Sequence, residues 1–540
     1  MDNAKALGIV VGSGHAAVEA ALALRRLGLD TTMIAMNPDN VCGMPCNPSI
    51  GGPGKAQIVS EIDALGGQMA LATDEATASM RLLNASKGPA VQSLRSQVDK
   101  SLYAKHMRRE LAVAGVRVLG GVARDLLVSD GRIRSVRLED GTEHRADAVV
   151  LATGVYLESR VIIGDRILES GPIGEKGSYG LSASLKRLGL EMGRFKTGTS
   201  PRIDRDSIQW DELRVEKGVD RPYAFSFMSK PKIWDNDVCY STYTSEATHD
   251  VIRRNVRRSP LLDGTIEGTG PRYCPSIEDK VTRFPHRTRH QIYLEIECGD
   301  TNDVYLLGLS TSLPEDVQVE MVRSLSGMGG AIVTAPGYAI EYDYVLPSQL
   351  RPTLEVKGVS GLFTAGQING SSGYEEAAAQ GLVAGINAAM MVMGKKPLVL
   401  QRHEAYIGVL IDDITGTTVR EPYRMLTGRA EYRLLLRQSN ADSRLTPIGR
   451  KIGLVTDERY SVYLRKASQM EKARRLLGEE HGGRAVWDLL RNPRYALADF
   501  MEDIPELEAL SADVLSEVEI EAKYQGFIER QEREAQRLGR

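Results

Sequence analysis

The sequence predicts an α/β fold with a parallel sheet, because three apolar strands each end in a glycine turn. The first strand, residues 8–11, leads into Gly12-Ser-Gly-His-Ala-Ala17 and an apolar helix. The second, residues 146–152, runs into a Thr-Gly pair, and the third ends in Ala365-Gly-Gln367 ahead of another apolar helix. We therefore expect one sheet assembled from distant parts of the chain.

The first glycine turn predicts a dinucleotide site. Gly12 allows a tight turn, Gly14 lets the backbone approach a pyrophosphate, and the small Ala17 lets the helix pack closely on the strand. The helix N-terminus offers unpaired N–H groups to the phosphates. The acid that binds ribose in such units is expected after the second strand, where Met36 and Asn37 stand instead. The ribose contact therefore stays open.

The three turns together indicate FAD in a two-dinucleotide-binding, Rossmann-like fold. A strand that ends in Ala-Thr-Gly is common in flavoproteins of this kind. In many of them the last of these strands ends in Ala-Gly-Asp, whose acid binds the ribityl chain. Gln367 stands at the position of that acid and can hydrogen-bond the same group without a charge.

Shifts in composition divide the chain into an FAD-binding domain with an inserted mixed α/β domain and a C-terminal helical region. We expect the two parts of the FAD-binding domain at residues 1–205 and 336–400. Residues 206–335 mix strand and loop character with basic bursts, which indicates the insertion. From residue 401 to residue 540, charged helical patterns replace the glycines and strand formers.

The composition of the chain limits the cellular compartment in which it can act and the ways in which it can bind nucleic acid or membranes. The formal net charge of −3 gives no global attraction to nucleic acid or to an anionic membrane, so such binding must be local. Five cysteines, an odd number in 540 residues, favour free thiols in a reducing compartment. Gln380 and Asn387 interrupt the longest apolar stretch, which indicates a buried helix, and the N-terminus lacks a basic signal-peptide region. We expect a cytoplasmic protein that does not bind membranes.

Longer motifs cover nearly the whole chain and are more specific than general flavin signatures. They occupy residues 12–17, 46–52, 83–91, 196–199, 270–280, 336–342, 365–370, 421–425 and 429–433. In these motifs the chain resembles the MnmG/GidA family of tRNA uridine 5-carboxymethylaminomethyl modification enzymes.

The resemblance implies a cofactor set and the residues that bind it. NADH would act as reductant, methylene-tetrahydrofolate would supply one carbon, and glycine or ammonia would supply the amine for C5 of the wobble uridine of tRNA. The inserted domain would meet NADH around residues 270–284, through Gly270, Arg272 and Lys280. The residues that the resemblance assigns to FAD are Gly12, Ser13, Gly14, His15, Ala16, Ala17, Val122, Ser178 and Gln367.

The resemblance also implies partners. The family forms homodimers and works with a GTPase, MnmE, which docks on a small C-terminal helical domain. This chain ends within a helical pattern at residues 531–540, so we expect that domain to be truncated and the docking to be weakened.

Two cysteines are the predicted catalytic residues. A thiolate can add to C6 of uridine or transfer a proton, because nearby cations readily lower the pKa of a thiol. Cys274 stands in a Gly/Pro turn between Arg272 and Lys280, and Cys46 follows the first nucleotide unit in a loop of its own. The resemblance assigns both to the site without dividing the steps between them. Cys42 and Cys46 have no second Cys/His pair at ligand spacing, so we expect no metal.

A cationic stripe predicts the contact with tRNA. Arg429, Arg433 and Arg437 recur every four residues in a helical pattern, with Arg424 nearby. Arginines in this arrangement can bind phosphates bidentately, whereas a solvated face paired with Glu431 is the simpler interpretation. Because the chain is mildly acidic overall, we favour tRNA.

Several alternatives remain open at this stage. Lys55, Lys87 and Lys196 lie in or after Gly/Pro loops and either meet folate or tRNA phosphate or are solvated surface lysines. The second enzyme hypothesis is a folate- and FAD-dependent tRNA uridine methyltransferase similar to TrmFO. The segment 270–280 and the region after residue 401 argue against it. A non-catalytic flavoprotein scaffold is the third, against which the intact Cys46 and Cys274 argue.

Overall fold

The central element of the fold is a five-stranded parallel sheet, seen in a computed structural model that describes residues 6–234, 238–299, 301–417, 419–481 and 483–538. The first strand lies at its centre, where Val10 pairs with Met33 on one side and Val150 on the other. The predicted parallel α/β fold is therefore confirmed. In spatial order the strands are Leu362–Thr364, Ala148–Leu151, Leu7–Val11, Asp30–Ala35 and Arg117–Gly120.

Two helices pack against this sheet and cross each other with their backbones in contact. They are His15–Arg26, which follows the glycine turn, and Tyr374–Val392, which follows the third turn. A Cβ at Gly381 would stand 2.0 Å from the carbonyl oxygen of Ala16. The close crossing therefore requires glycine at this position, and it brings both helix N-termini to the carboxyl edge of the sheet.

Smaller elements surround this core. The other helices of this part are Lys55–Ala64, Met69–Ala76, Lys100–Ala114 and Leu181–Arg187. Two three-stranded antiparallel sheets comprise Ser49–Gly51, Ser93–Val98 and Thr77–Leu83, and Ala123–Ser129, Arg132–Leu138 and Glu143–Arg145.

The outgoing and returning segments of the inserted domain pair with each other. Met192–Gly198 leads toward the insertion and Ala339–Val345 returns from it, with Lys196 opposite Glu341. Arg160–Ile163 and Arg166–Leu168 complete this four-stranded sheet.

The insertion itself is a six-stranded antiparallel sheet with three helices and its own hydrophobic core. The sheet begins at Arg202, slightly before the predicted boundary at residue 206. Its strands in spatial order are Arg214–Val215, Cys239–Tyr243, Gln291–Ile296, Asp303–Leu307, Arg202–Asp204 and Val333–Ala335, and its helices are Glu246–Asn255, Ile277–Arg283 and Glu315–Arg323.

The C-terminal region is helical but has two parts. Tyr406–Gly416 and Ala441–Ile452 pack on the core of the FAD-binding domain, whereas residues 470–522 form a separate hydrophobic core. Among the described residues, no helix combines the length and apolarity needed to cross a bilayer. The elements of the second part are the helices Asp457–Gly478, Val486–Leu490 and Ala512–Leu538 and the short hairpin Glu480–His481 and Arg484–Ala485.

Candidate functional site

A cavity of about 780 Å³ lies at the carboxyl edge of the parallel sheet. All three predicted glycine turns line it, together with loops from the inserted domain and from the segment that follows the last helix of the FAD-binding domain. Its volume is within the range of small-molecule and cofactor sites, about 300–1,000 Å³. This edge of an α/β sheet is where cofactors of this fold class bind.

The glycine turn leaves room for a pyrophosphate. Gly12 has φ +123°, and a Cβ there would stand 2.2 Å from the carbonyl oxygen of Ala152. Among the described residues, no atom lies within 4 Å of a Cβ built on Gly14. The helices that begin at His15 and Tyr374 have no side-chain cap from a described residue, so their N–H groups are available at the cavity.

His15 offers an uncommitted polar group to a cofactor. Its side chain is buried, and Nε2 has no hydrogen-bond partner among the described residues. The ring stacks on that of Tyr374 at a centroid distance of 4.7 Å. Burial lowers the pKa of His15 to about 4, so the imidazole is neutral at pH 7. Together with the space at Gly14, this orphaned nitrogen fits FAD in the cavity.

Seven of the nine residues predicted to bind FAD line the cavity. Ala17 is instead fully buried where the helix packs on the sheet, and Val122 lies between two lining residues, Gly121 and Ala123. Met36 and Asn37, which stand where the ribose-binding acid is expected, line the cavity, and so does Asn40, whose amide donates to Glu175 at 2.6 Å. The seven lining residues are Gly12, Ser13, Gly14, His15, Ala16, Ser178 and Gln367.

Cys46 lines the same cavity and is held from three directions. Its backbone N–H donates to Tyr374 Oη at 2.9 Å, and its carbonyl oxygen accepts from the guanidinium of Arg202 at 3.0 Å. Its Sγ lies 3.4 Å from Tyr305 Oη. Burial raises the pKa of Cys46, and the negative charge that Cys274 carries when ionised raises it further. The thiol is therefore fixed in place, with its ionisation dependent on its neighbours.

Cys274 stands at the exposed side of the cavity. It lines the wall with Tyr273 and Lys280, although it is remote from Cys46 in the sequence. Its sulfur interacts electrostatically with the ammonium groups of Lys196 and Lys280. Burial lowers the pKa of both lysines. The cationic environment predicted for Cys274 thus comes from Lys280 and also from Lys196, which reaches it from a neighbouring strand.

The three residues predicted to meet NADH lie in different surroundings. Lys280 lines the cavity, and its ammonium donates to the carbonyl oxygen of Gly308 at 2.9 Å. Arg272 is exposed, with its guanidinium 5.9 Å from the ring centroid of Tyr273. Gly270 packs next to Lys196, whose Cδ would be 3.4 Å from a Cβ at this position. Lys280 is therefore the member of the three that faces the cofactor space.

Lys55 is a buried, paired lysine that lines the cavity, and not a surface lysine. It is buried, and its ammonium pairs with Glu375 at 2.7 Å and with Glu376 at 2.8 Å. Although burial opposes ionisation of Glu375, the charge of Lys55 outweighs it and lowers the pKa of Glu375. Glu376 also accepts from the backbone N–H of Met425 at 2.9 Å. This cluster connects three segments of the chain beside the cavity. Lys87, the second of these lysines, is exposed.

The predicted helical arginine stripe is wrong. After a 3₁₀ turn at Thr427–Arg429, residues 431–435 form turns, so the arginines do not share a helix face. Arg437 is 2 % exposed and forms an ion pair with Glu517 of the C-terminal helix, which removes it from any tRNA surface. Arg433 is exposed and Arg424 lines the cavity, while Arg429 stacks on Tyr423 at 4.2 Å.

Sequence reasoning missed Tyr305, Tyr374 and Arg202, the three residues that hold Cys46. Tyr305 lies on a strand of the inserted domain, where an alternating pattern indicates a sheet but not which face meets another domain. Tyr374 follows Gly373 at a helix start, and this position next to a glycine turn is a signal that could have identified it.

Sequence comparisons place the chain among proteins of one kind. A family profile described as "Glucose inhibited division protein A" matches residues 8–396, and one described as "tRNA modifying enzyme MnmG/GidA C-terminal helical domain" matches residues 457–532. A C-terminal helical domain of this kind is therefore present at residues 457–532.

Individual relatives agree with these profiles. The tRNA uridine 5-carboxymethylaminomethyl modification enzymes MnmG of Heliobacterium modesticaldum and Bacillus subtilis are 49% and 47% identical over 98% of this chain, covering 87% and 88% of their own lengths. The crystal structure of Aquifex aeolicus GidA is 43% identical, with a TM-score of 0.94 over 99% of this chain and 90% of that one.

Proposed function

This chain belongs to the MnmG/GidA family, and from that premise we propose how its cavity modifies tRNA. It is an FAD-dependent enzyme that installs a (carboxymethyl)aminomethyl group at C5 of the wobble uridine of tRNA. NADH is the reductant, methylene-tetrahydrofolate the one-carbon donor, and glycine or ammonia the amine. Identity of 47–49% to MnmG enzymes over nearly the whole chain sets aside the methyltransferase alternative.

The chain's own groups would hold the cofactor. The N–H groups at the helix starts of His15 and Tyr374 would hold the pyrophosphate, and neutral His15 would donate or accept a hydrogen bond without introducing charge. Gln367, in the third glycine turn, would hydrogen-bond the ribityl chain. When bound, FAD supplies the redox chemistry of the one-carbon transfer.

The two thiols act on the uridine. C5 of uridine is a poor nucleophile, and addition of a thiolate to C6 raises the electron density at C5, while a second group removes the C5 proton. Cys274 is exposed beside two ammonium groups, which suits a thiol that meets an incoming base. Cys46 is less exposed and is held by Tyr305 and Tyr374, which suits proton transfer on the cofactor side.

The observation that carries this proposal is that Cys46, Cys274 and all three glycine turns line one cavity. We expect Cys46→Ser and Cys274→Ser to retain FAD, seen by its absorbance, and to abolish the modified wobble nucleoside. The measurement is mass spectrometry of tRNA nucleosides from a strain that lacks the gene and carries each variant. Cys298→Ser, which changes a half-buried thiol outside the cavity, is the matched control and keeps the modification. Normal modification in both cysteine variants would contradict the proposal and favour a scaffold.

Partners are part of the same proposal. Acting in the cytoplasm, the chain forms a homodimer and docks the GTPase MnmE through its C-terminal helical domain, which is supported by the match to residues 457–532. Sedimentation velocity of the flavin-bound protein, alone and with the GTPase, tests both points. A monomer that does not change on adding the GTPase would overturn them.

A further inference from the structure

The hydroxyl of Tyr305 is buried at the junction between the inserted domain and the Cys46 loop. Three groups surround its oxygen: the backbone N–H of Ser200 at 3.1 Å, Thr199 Oγ1 at 3.4 Å and Cys46 Sγ at 3.4 Å. The guanidinium of Arg202 lies 5.2 Å from the ring centroid and keeps the ring in place. A hydroxyl with one proton therefore has three neighbours to satisfy.

The hydrogen bond between Tyr305 and Cys46 has a definite direction when Cys46 is ionised, because a thiolate has no proton to donate. A backbone N–H can only donate, so Ser200 occupies a lone pair of Tyr305 Oη. The Thr199 hydroxyl has one proton and lies within reach of both Tyr305 Oη, at 3.4 Å, and the carbonyl oxygen of Ser200, at 3.3 Å. Burial raises the pKa of Tyr305, so the phenol keeps its proton at neutral pH. The phenol can therefore donate that proton to the sulfur of Cys46 when the sulfur is a thiolate.

We propose that Tyr305 is a positioning residue that donates its phenolic hydrogen to Cys46 Sγ and thereby stabilises the Cys46 thiolate inside the cavity. This goes beyond the proposed function, which assigns Cys46 a proton-transfer role without saying what ionises it.

The charged neighbours do not supply this stabilisation by themselves. Arg202 and Lys100 are two cations whose charges favour the Cys46 thiolate, and both are paired with Glu297, to which Arg202 Nε donates at 3.2 Å. Their charge is largely compensated, whereas Tyr305 makes a direct contact with the sulfur. The titratable and charged groups that face Cys46 are Tyr305, Tyr338, Tyr374, Arg202, Lys100 and Cys274.

The test is the pH dependence of Cys46 alkylation in the FAD-bound enzyme. Iodoacetamide reacts with the thiolate, and peptide mass spectrometry follows Cys46 separately from the other thiols from about pH 6 to about pH 10. We expect Tyr305→Phe to slow alkylation about tenfold at neutral pH while leaving the plateau at high pH unchanged. Tyr406→Phe is the matched control, because its buried hydroxyl has no partner among the described residues.

A second variant keeps the test decisive if Tyr305→Phe fails to fold. Fluorotyrosine at position 305 preserves the shape of the ring but makes the phenol a stronger donor, so alkylation at neutral pH should be faster than in the wild type. Opposite shifts in the two variants support the proposal, and so does the fluorotyrosine shift alone. An unchanged or slower profile with fluorotyrosine overturns it. Because the assay measures the thiol and not tRNA, its failure is distinguishable from failure of the proposed function.

Discussion

Replacing Gly381 with alanine tests whether the cofactor site depends on the helix crossing beneath it. The added Cβ would stand 2.0 Å from the Ala16 carbonyl oxygen, whereas an ordinary contact needs at least 3.4 Å. The helices that begin at His15 and Tyr374 must therefore separate by about 1.4 Å. Forcing extra volume into a packed site costs about 1–3 kcal/mol, and the upper end applies because the obstructing atom belongs to the backbone. Subtracting the gain of about 1 kcal/mol from replacing a helical glycine leaves a net cost of about 2 kcal/mol.

The assay is thermal release of FAD, followed by the rise in flavin fluorescence. At about 2–4 °C per kcal/mol for a domain of this size, we expect Gly381→Ala to lower the release temperature by roughly 4–8 °C. FAD affinity should fall about tenfold for each 1.4 kcal/mol, because the two helix ends that meet the phosphates move apart. Gly526→Ala is the control: it also lies in a helix, but no described atom is within 4 Å of its Cβ, so it should leave FAD release unchanged. Wild-type release from Gly381→Ala would refute the reasoning.

Three further changes have expected outcomes. Arg437→Met alone should destabilise the chain by about 3–5 kcal/mol in chemical denaturation, because it leaves Glu517 buried without its partner, whereas adding Glu517→Leu should recover most of the loss. Arg433→Glu should weaken tRNA binding and reduce the salt slope by about one, and an unchanged slope in filter binding would exclude this contact. Because the folded pKa of His15 lies below its ordinary value, its stabilising contribution of about 3 kcal/mol is present above pH 6.5 and lost as the pH falls toward 4. Denaturation of His15→Gln across this range should therefore show a weaker loss of stability than the wild type.

The glycine turns were predictable because their signals are local. Gly12 has a positive φ, and Gly14 has open space beside its backbone that leaves room for a pyrophosphate. Both requirements favour glycine and can be recognised within a few residues of the sequence. The order of the three strand–turn units then led to the parallel sheet and the FAD-binding fold, and the longer motifs led to the family, both of which are confirmed.

The errors concern side chains whose partners are distant in the sequence. The spacing of Arg437 from the other arginines predicted an exposed position on a helix face. Instead its guanidinium is buried in an ion pair with Glu517, which is 80 residues further along the chain. Lys55 likewise meets Glu375 across 320 residues, and Cys46 meets Tyr305 across 259. Local spacing carries no information on such pairs, because the tertiary fold decides which charged groups are desolvated together.

The order of strands in the parallel sheet has a consequence for synthesis on the ribosome. Leu7–Val11 and Ala148–Leu151 emerge early, but their neighbour Leu362–Thr364 follows the entire inserted domain. At about 5–20 residues per second, the nascent sheet waits roughly 10–40 s with an unpaired edge beside Ala148–Leu151. The insertion, with its own core, can fold during that interval, so the nascent chain first acquires the domain proposed to meet NADH and only later the pocket for FAD. The edge beside Ala148–Leu151 is therefore open to pairing with other chains until residue 364 has left the exit tunnel.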